Sequence, residues 1–348
     1  MIEIDLDREE LVYSGRIDRR NRKRPEFIFP ASSLEFRFFG RKAVLVLENR
    51  NVYWNNYVGA IVDGVQKCWI LKKEGQTEIS FLEEEQDGVH SVLFFKRQDS
   101  CHEIRLCSLL VSDGGRMLEA PEKPKRKIEV YGDSVSAGEV SEAVDWFGRA
   151  DPPNHNGRFS NSWYSYAWIT ARKLHAQLHD IAQGGIALMD GTGWFGTPDL
   201  IGMETIWNQM HYQTELGEMV SWDFSDYTPD VVIVAIGQND SHPEDYMKED
   251  RMGEKAVLWR ERYWIFLEKI LAQYPKAHVV CCTTLLNHDI GWDLSIEQVC
   301  KEMADPRVTY FWFQRTGQGT PGHLRTLEAE EMAEELAAYL ESLEIEGW

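Results

Sequence analysis

No apolar run in this chain approaches the roughly 18 residues that a membrane-spanning helix needs. The densest is only Val231-Val-Ile-Val-Ala-Ile236. The first ten residues, Met1 to Glu10, are acidic and lack the apolar core of a signal peptide, so a cytoplasmic protein with no membrane partner is expected. Positive charge is scarce: 37 Lys and Arg stand against 57 Asp and Glu, for a net charge of -20. Nucleic-acid phosphates require a basic face. The short cluster Lys123-Pro-Lys-Arg-Lys127 sits beside two prolines just before a strand and reads as a solvated linker, so no nucleic-acid partner is expected. No Cys-x-x-Cys occurs among the six cysteines, which excludes a zinc site of that type. With no export signal, reduced and mostly buried thiols are expected, Cys281 and Cys282 pointing to opposite faces of a strand. No Asp/His/Glu cluster has metal-ligand spacing, and neither a metal nor a cofactor is expected. Internal repeats and low-complexity segments are missing too.

What is present divides in two. Residues 1–112 carry short strand-like runs: Leu34–Phe38, Ala43–Leu47, Val58–Val62 and Ser91–Phe95. Turn signals fall between them, at Gly40, at Glu48–Asn51, at Asp63-Gly64 and at Gln86-Asp-Gly88. Strands at this spacing without helices predict an all-β sandwich of the jelly-roll kind. Residues 113–127 are rich in Gly, Pro and charge and read as a linker. From 128 to 348 the pattern alternates. Strands are predicted at Ile128–Tyr131, Leu178–Ala182, Val231–Ile236, Ala277–Cys282 and Val308–Phe313. Helices are predicted at Ser162–His175, Ala256–Gln273 and Leu327–Leu343. Such alternation predicts an α/β domain, a parallel sheet with helices on both faces.

Open α/β sheets place functional groups at the carboxyl ends of their strands. Three turns stand there: Gly132-Asp133-Ser134, Gln183-Gly184-Gly185 and Gly237-Gln238-Asn239-Asp240. A glycine-rich loop, Gly317 to His323, precedes the last helix. A hydroxyl nucleophile, donors for a developing oxyanion and a late imidazole are the parts that acyl transfer requires.

This order of motifs resembles the SGNH (GDSL-type) hydrolase superfamily. The β-sandwich in front narrows the likeness. Gly15-Arg-Ile-Asp18, Gly88-Val-His-Ser-Val-Leu-Phe-Phe-Lys-Arg97 and Trp222-Asp-Phe-Ser-Asp-Tyr-Thr-Pro-Asp230 resemble carbohydrate esterase family 2. That resemblance implies an esterase removing O-acetyl groups from plant-type manno- or xylo-oligosaccharides through an acetyl-enzyme. It makes Ser134 the nucleophile and His323 the base, with an oxyanion hole from the amides of Ser134 and Gly185 and the side chain of Asn239. The superfamily's usual acid before the histidine is replaced here by Thr320 and Pro321. A Ser-His dyad is therefore expected, oriented by a backbone carbonyl or by an acid from elsewhere. Asp190 and Asp199 are candidates for that acid, with surface positions the default reading. The segment Val140–Asn161, containing Asp151-Pro-Pro-Asn-His155, reads as a long loop beside the nucleophile that shapes an acceptor subsite. Asp240 reads as structural, bonding turn amides, and His242 as a loop histidine.

Most of the thirteen tryptophans are expected in the core. Trp146, Trp194 and Trp292 fall in predicted loops on the chemistry side and are candidate sugar platforms. Two rivals remain on sequence alone: a lipolytic esterase of the same superfamily, and a non-catalytic carbohydrate-binding protein.

Overall fold

Three antiparallel strands, Ser33–Asn51, Gln76–Lys96 and His102–Val111, carry the N-terminal half of the computed structural model, which describes residues 1–345 and 348. Burial alternates along Leu34–Phe38 as a period of two demands. The inward side chains, among them Phe36, Leu45, Phe81, Phe94 and Leu106, make one apolar core. The sequence places turns at Gly40 and at Gln86-Asp-Gly88, yet the chain runs through both as strand. Gly40 and Gly88 face each other across the ladder, beside a register shift between Gly40 and Lys42. A bulge next to two residues without side chains lets the ribbon bend. The bend brings Phe36, from one half of the ribbon, to 6.0 Å from Phe81 in the other half. The sheet folds over on itself. The pairing of Arg116–Met117 with Phe38–Phe39 carries this sheet a few residues into the stretch read as a linker.

From Arg126 onward a five-stranded parallel sheet follows, in the spatial order Ala176–Ala182, Arg126–Gly132, Val231–Ala235, His278–Cys281, Val308–Tyr310. Its central strand Val231–Ala235 is buried throughout, because helices cover both faces. Tyr166–Lys173 and Thr326–Ser342 pack on one face, Glu254–Gln273 and Gly291–Met303 on the other. Cys281 and Cys282 fall in the two opposite cores, and all six cysteines are free thiols.

Helix Gly291–Met303 is absent from the sequence reading, and this corrects one platform candidate. Trp292 is not in a loop. It is fully buried, packed on Trp259 at 5.3 Å, and its indole N–H donates to Asp245 Oδ1 at 2.9 Å. Ile296, Val299 and Cys300 follow it on the same helical face.

Many polar contacts join the halves, and three places stand out. Arg16, wholly buried, donates to the carbonyls of Trp207 (2.7 Å) and Gln209 (3.0 Å) and pairs with buried Glu129 at 3.4 Å. Glu129 also accepts from Tyr131 and Tyr274, at 2.6 and 2.9 Å. Burial alone would raise its pKa, but Arg16 and His179 hold it below the usual carboxylate value.

Second, His211 bridges Asp18 (2.8 Å) and Glu103 (3.1 Å). Burial would lower its pKa, yet the two carboxylates raise it to about 9. A histidine raised in the folded state stabilises fully below its unfolded value of about 6.5. That contribution is lost as pH climbs through about 9. The gap in thermal midpoint between wild type and His211→Gln is therefore expected to narrow from about pH 6.5 to about pH 9.5. Parallel melting curves across that range would refute this.

Third, buried Lys96 donates to the carbonyls of Gln98 and Asp99, shaping a loop whose Asp99 carboxylate accepts from the Gly184 amide of the other half.

Candidate active site

Gly132 pairs in register with Ala182 on one side and Ala235 on the other. The three turns that follow these strands therefore lie side by side. Gly132 leaves no room for a side chain: a Cβ there would sit 2.0 Å from Ser136 Oγ. Asp133 caps the short helix Ser134–Ala137, its Oδ1 accepting from the Val135 amide at 2.9 Å. Its Oδ2 accepts from Gln238 Nε2 (2.6 Å) and Asn239 Nδ2 (3.1 Å), tying the first turn to the third. Burial raises its pKa to about 6.

Ser134 is 3% exposed, and its hydroxyl has no hydrogen-bond partner among the described residues. The amides of Ser134 and Gly185 likewise donate to no other group there. Gly185 stands at φ +73°, a conformation that favours glycine, and directs its carbonyl to the Trp194 amide at 2.8 Å. Gly184 is held from the N-terminal half, donating its amide to Asp99 Oδ2 at 2.8 Å.

Asn239 departs from the expected picture. Besides Asp133, its amide nitrogen donates to the Ile186 carbonyl at 2.9 Å, so both hydrogens are taken. Asp240 is structural as read. Its carboxylate accepts from the amides of Leu188 (2.7 Å) and Met189 (3.2 Å).

Of the two orienters expected for His323, a backbone carbonyl or an acid from elsewhere, it is an acid that stands at the ring. Asp151 Oδ2 lies 2.6 Å from His323 Nδ1, and Asp151 Oδ1 accepts the His323 amide at 3.1 Å. Asp151 also pairs with buried Arg325 at 3.0 Å. Burial would raise the Asp151 pKa, but the bond to His323 outweighs it and brings the value to about 2. Sequence reasoning missed this residue as an orienter because 172 positions separate it from the histidine. The other two candidates lie elsewhere. Asp190 accepts from Gly202 N and Thr205 Oγ1, both at 2.7 Å, and Asp199 is exposed.

His323 Nε2 points toward Glu139 Oε2 at 3.7 Å. Burial would lower the imidazole pKa, but Glu139 and Asp151 together raise it to about 9.

Trp146 is half-buried in the turn Val144–Trp146, in the loop whose Gly148 amide donates to Thr320 Oγ1 at 2.9 Å. Trp194 is 62% exposed beside Gly185 and rests on His242, with ring centres 3.4 Å apart. Trp54, unmarked in the sequence, comes from the N-terminal half. It adopts φ +58°, rare for a bulky residue, lies edge-on to His155 at 5.3 Å and lines a recess with Gln98, Asp99 and Glu139.

Among the described residues, one cluster has ligand atoms close enough for a metal: Glu26, Glu103 and His211. Arg105 and Arg50 already occupy the two carboxylates and Asp18 the imidazole, so the group belongs to the link between the halves. A cleft of about 650 Å³ opens at the other end of the sheet, beside Lys127 and Gln177 where two strands begin.

With this geometry in place, comparison with known proteins gives a consistent picture. Residues 13–121 match the family described as Carbohydrate esterase 2 N-terminal. The Cellulase/esterase CelE of Acetivibrio thermocellus is 28% identical over 97% of this chain, which spans only 40% of that protein's length. An Acetylxylan esterase / glucomannan deacetylase of Cellvibrio japonicus is 29% identical over 76% of this chain and 68% of its own. The structure of a family two carbohydrate esterase from Clostridium thermocellum, in complex with cellohexaose, superposes with a TM-score of 0.77 at 27% identity. That match covers 95% of this chain and 98% of the other.

Proposed function

We infer, for a chain that resembles the family 2 carbohydrate esterases from its first sheet to its last helix, a serine esterase that removes O-acetyl groups from acetylated manno- or xylo-oligosaccharides. The observation that carries this reading is the Asp151–His323 pair at 2.6 Å, set against a serine turn whose hydroxyl and amide are both unengaged.

The Ser134 hydroxyl attacks the acetyl carbonyl while His323 Nε2 takes its proton. The carbonyl oxygen, now negative, lies against the amides of Ser134 and Gly185. His323 returns the proton to the sugar oxygen as the ester C–O bond breaks, leaving acetyl on Ser134. Water, deprotonated by His323, then attacks the acetyl carbonyl, the bond to Ser134 Oγ breaks as His323 returns the proton to that oxygen, and acetate leaves. Asp151 holds the imidazole tautomer with Nε2 free to accept. For Asn239 to contribute a third donor, it gives up one of its bonds to Asp133 or Ile186 when the oxyanion forms.

The recess lined by Trp54, Gln98, Asp99, Glu139 and Ser160 measures only about 10 Å³ and is mostly polar, so it offers no channel for a long acyl tail. This sets the reading against the lipolytic alternative. Turnover of 4-nitrophenyl esters is expected to fall by about tenfold or more from acetate to octanoate. Acetate release from acetylated manno- and xylo-oligosaccharides is the companion measurement. A preference for long acyl chains would sink the proposal.

A further inference from the structure

A histidine that must accept a proton has to be neutral at the accepting nitrogen. His323 lies between two carboxylates, one at each ring nitrogen. Asp151 is fully engaged, bonding the ring and amide of His323 and pairing with Arg325. Glu139 is not. Its side chain is 10% exposed, and neither carboxylate oxygen accepts a hydrogen bond among the described residues. The nitrogen it faces, at 3.7 Å, is the one that the Ser134 proton would reach.

The backbone puts Glu139 there. Its amide donates to the Ser134 carbonyl at 2.9 Å, closing the turn around the serine. Val140 then leaves at φ +55°. On the far side Gly184 leaves the space free, since a Cβ there would lie 2.7 Å from Glu139 Oε2.

We propose that Glu139 is a positioning residue that competes with the Ser134 hydroxyl for His323 Nε2 and so sets the pH above which the site is armed. The proposal rests on the serine-esterase reading of the same site. In the resting state Nε2 carries a hydrogen directed at Glu139, and Ser134 is left without a partner. Loss of that proton as pH rises turns the imidazole into a base.

The groups facing His323 come from several elements. Asp133 lies in the serine turn, and Asp151 and His155 in the long loop. Arg325 stands at the start of the last helix, and Asp99 comes from the N-terminal half, next to Glu139. The acids favour the imidazolium, whereas burial, Arg325 and His155 oppose it. Burial also raises the Glu139 pKa, while His323 pulls it back down.

The test is Glu139→Gln, which keeps the shape and removes the charge, with Glu139→Ala as a second variant should the first fail to fold. Two readouts on the full chain are needed. One is the pH profile of kcat/KM on 4-nitrophenyl acetate. The other is the imidazole pKa of His323 by NMR, its signal assigned by loss in His323→Gln. Wild type is expected to show an alkaline rising limb. In Glu139→Gln the limb and the imidazole pKa should both move down by about one unit or more, the usual effect of removing an opposite charge at this distance. At pH 6.5 this is about a tenfold higher fraction of the plateau rate. An unmoved imidazole pKa in the variants overturns the proposal. If wild type hydrolyses no ester at all, the serine-esterase reading falls, and the NMR titration alone still decides the role of Glu139.

Discussion

Ser134→Ala loses acetate release from acetylated oligosaccharides by about 10⁴-fold or more. The hydroxyl supplies the only atom in this arrangement that can form the acetyl-enzyme, and water in its place lacks both attachment and orientation. The same substitution should leave stability almost untouched. A buried hydroxyl with no partner contributes no hydrogen bond to lose, so the unfolding midpoint is expected to match wild type. That combination, dead but fully folded, separates a nucleophile from a structural serine. It also tests the non-catalytic alternative, because a carbohydrate-binding protein would release no acetate in either form. Release at wild-type rates by the alanine variant would end the serine mechanism.

Asp151→Asn is expected to cost about 10²–10⁴-fold at the pH of the wild-type plateau. Asparagine has the same size but presents a neutral group to Nδ1, and an amide turned the other way would fix the wrong imidazole tautomer. Removing the carboxylate also withdraws a charge that raises the His323 pKa, so the rising limb should shift to lower pH as the plateau drops. Glu139→Gln shares the shift, but Glu139 sits at the other nitrogen and does not set the tautomer. Steady-state rates from about pH 6 to about pH 10 distinguish the two carboxylates. Rates within threefold of wild type throughout would show that Asp151 does not orient the base.

The parallel sheet was legible because its strands are buried on both faces and therefore read as unbroken apolar runs such as Val231–Ala235. The turns at Ser134, Gly185 and Asn239 were legible for the same reason, each following such a run. Asp151 was not. No periodicity links it to His323, and only the packing of the long loop against the loop before the last helix makes the pair. The sequence marked that loop as a neighbour of the serine but gave no means of choosing its acid. Trp54 was hidden in the same way, since its role depends on a contact between the two halves.

Trp292 is a different failure. The spacing of Trp292, Ile296, Val299 and Cys300 is helical, and the signal was present but unread. Gly40 and Gly88 misled because a glycine that permits a bend inside a long ribbon looks, residue by residue, like one that ends a strand.

The Arg16–Glu129 pair has a consequence for how this protein can be cut. Glu129 lies on the strand that ends in the serine turn, and its counter-charge is supplied from the other half of the chain. A fragment starting after the first sheet would keep the acid and lose its arginine, leaving only His179 at 3.7 Å and two tyrosine hydroxyls to offset a buried charge, where breaking a buried pair typically costs about 3–5 kcal/mol. The same cut would remove Asp99, which holds Gly184, and Trp54 from the rim. The N-terminal half is thus no detachable appendage. The half that carries Ser134 and His323 is not a portable module, and fusions or swaps drawn at the apparent boundary should yield insoluble protein unless Arg16 travels with it.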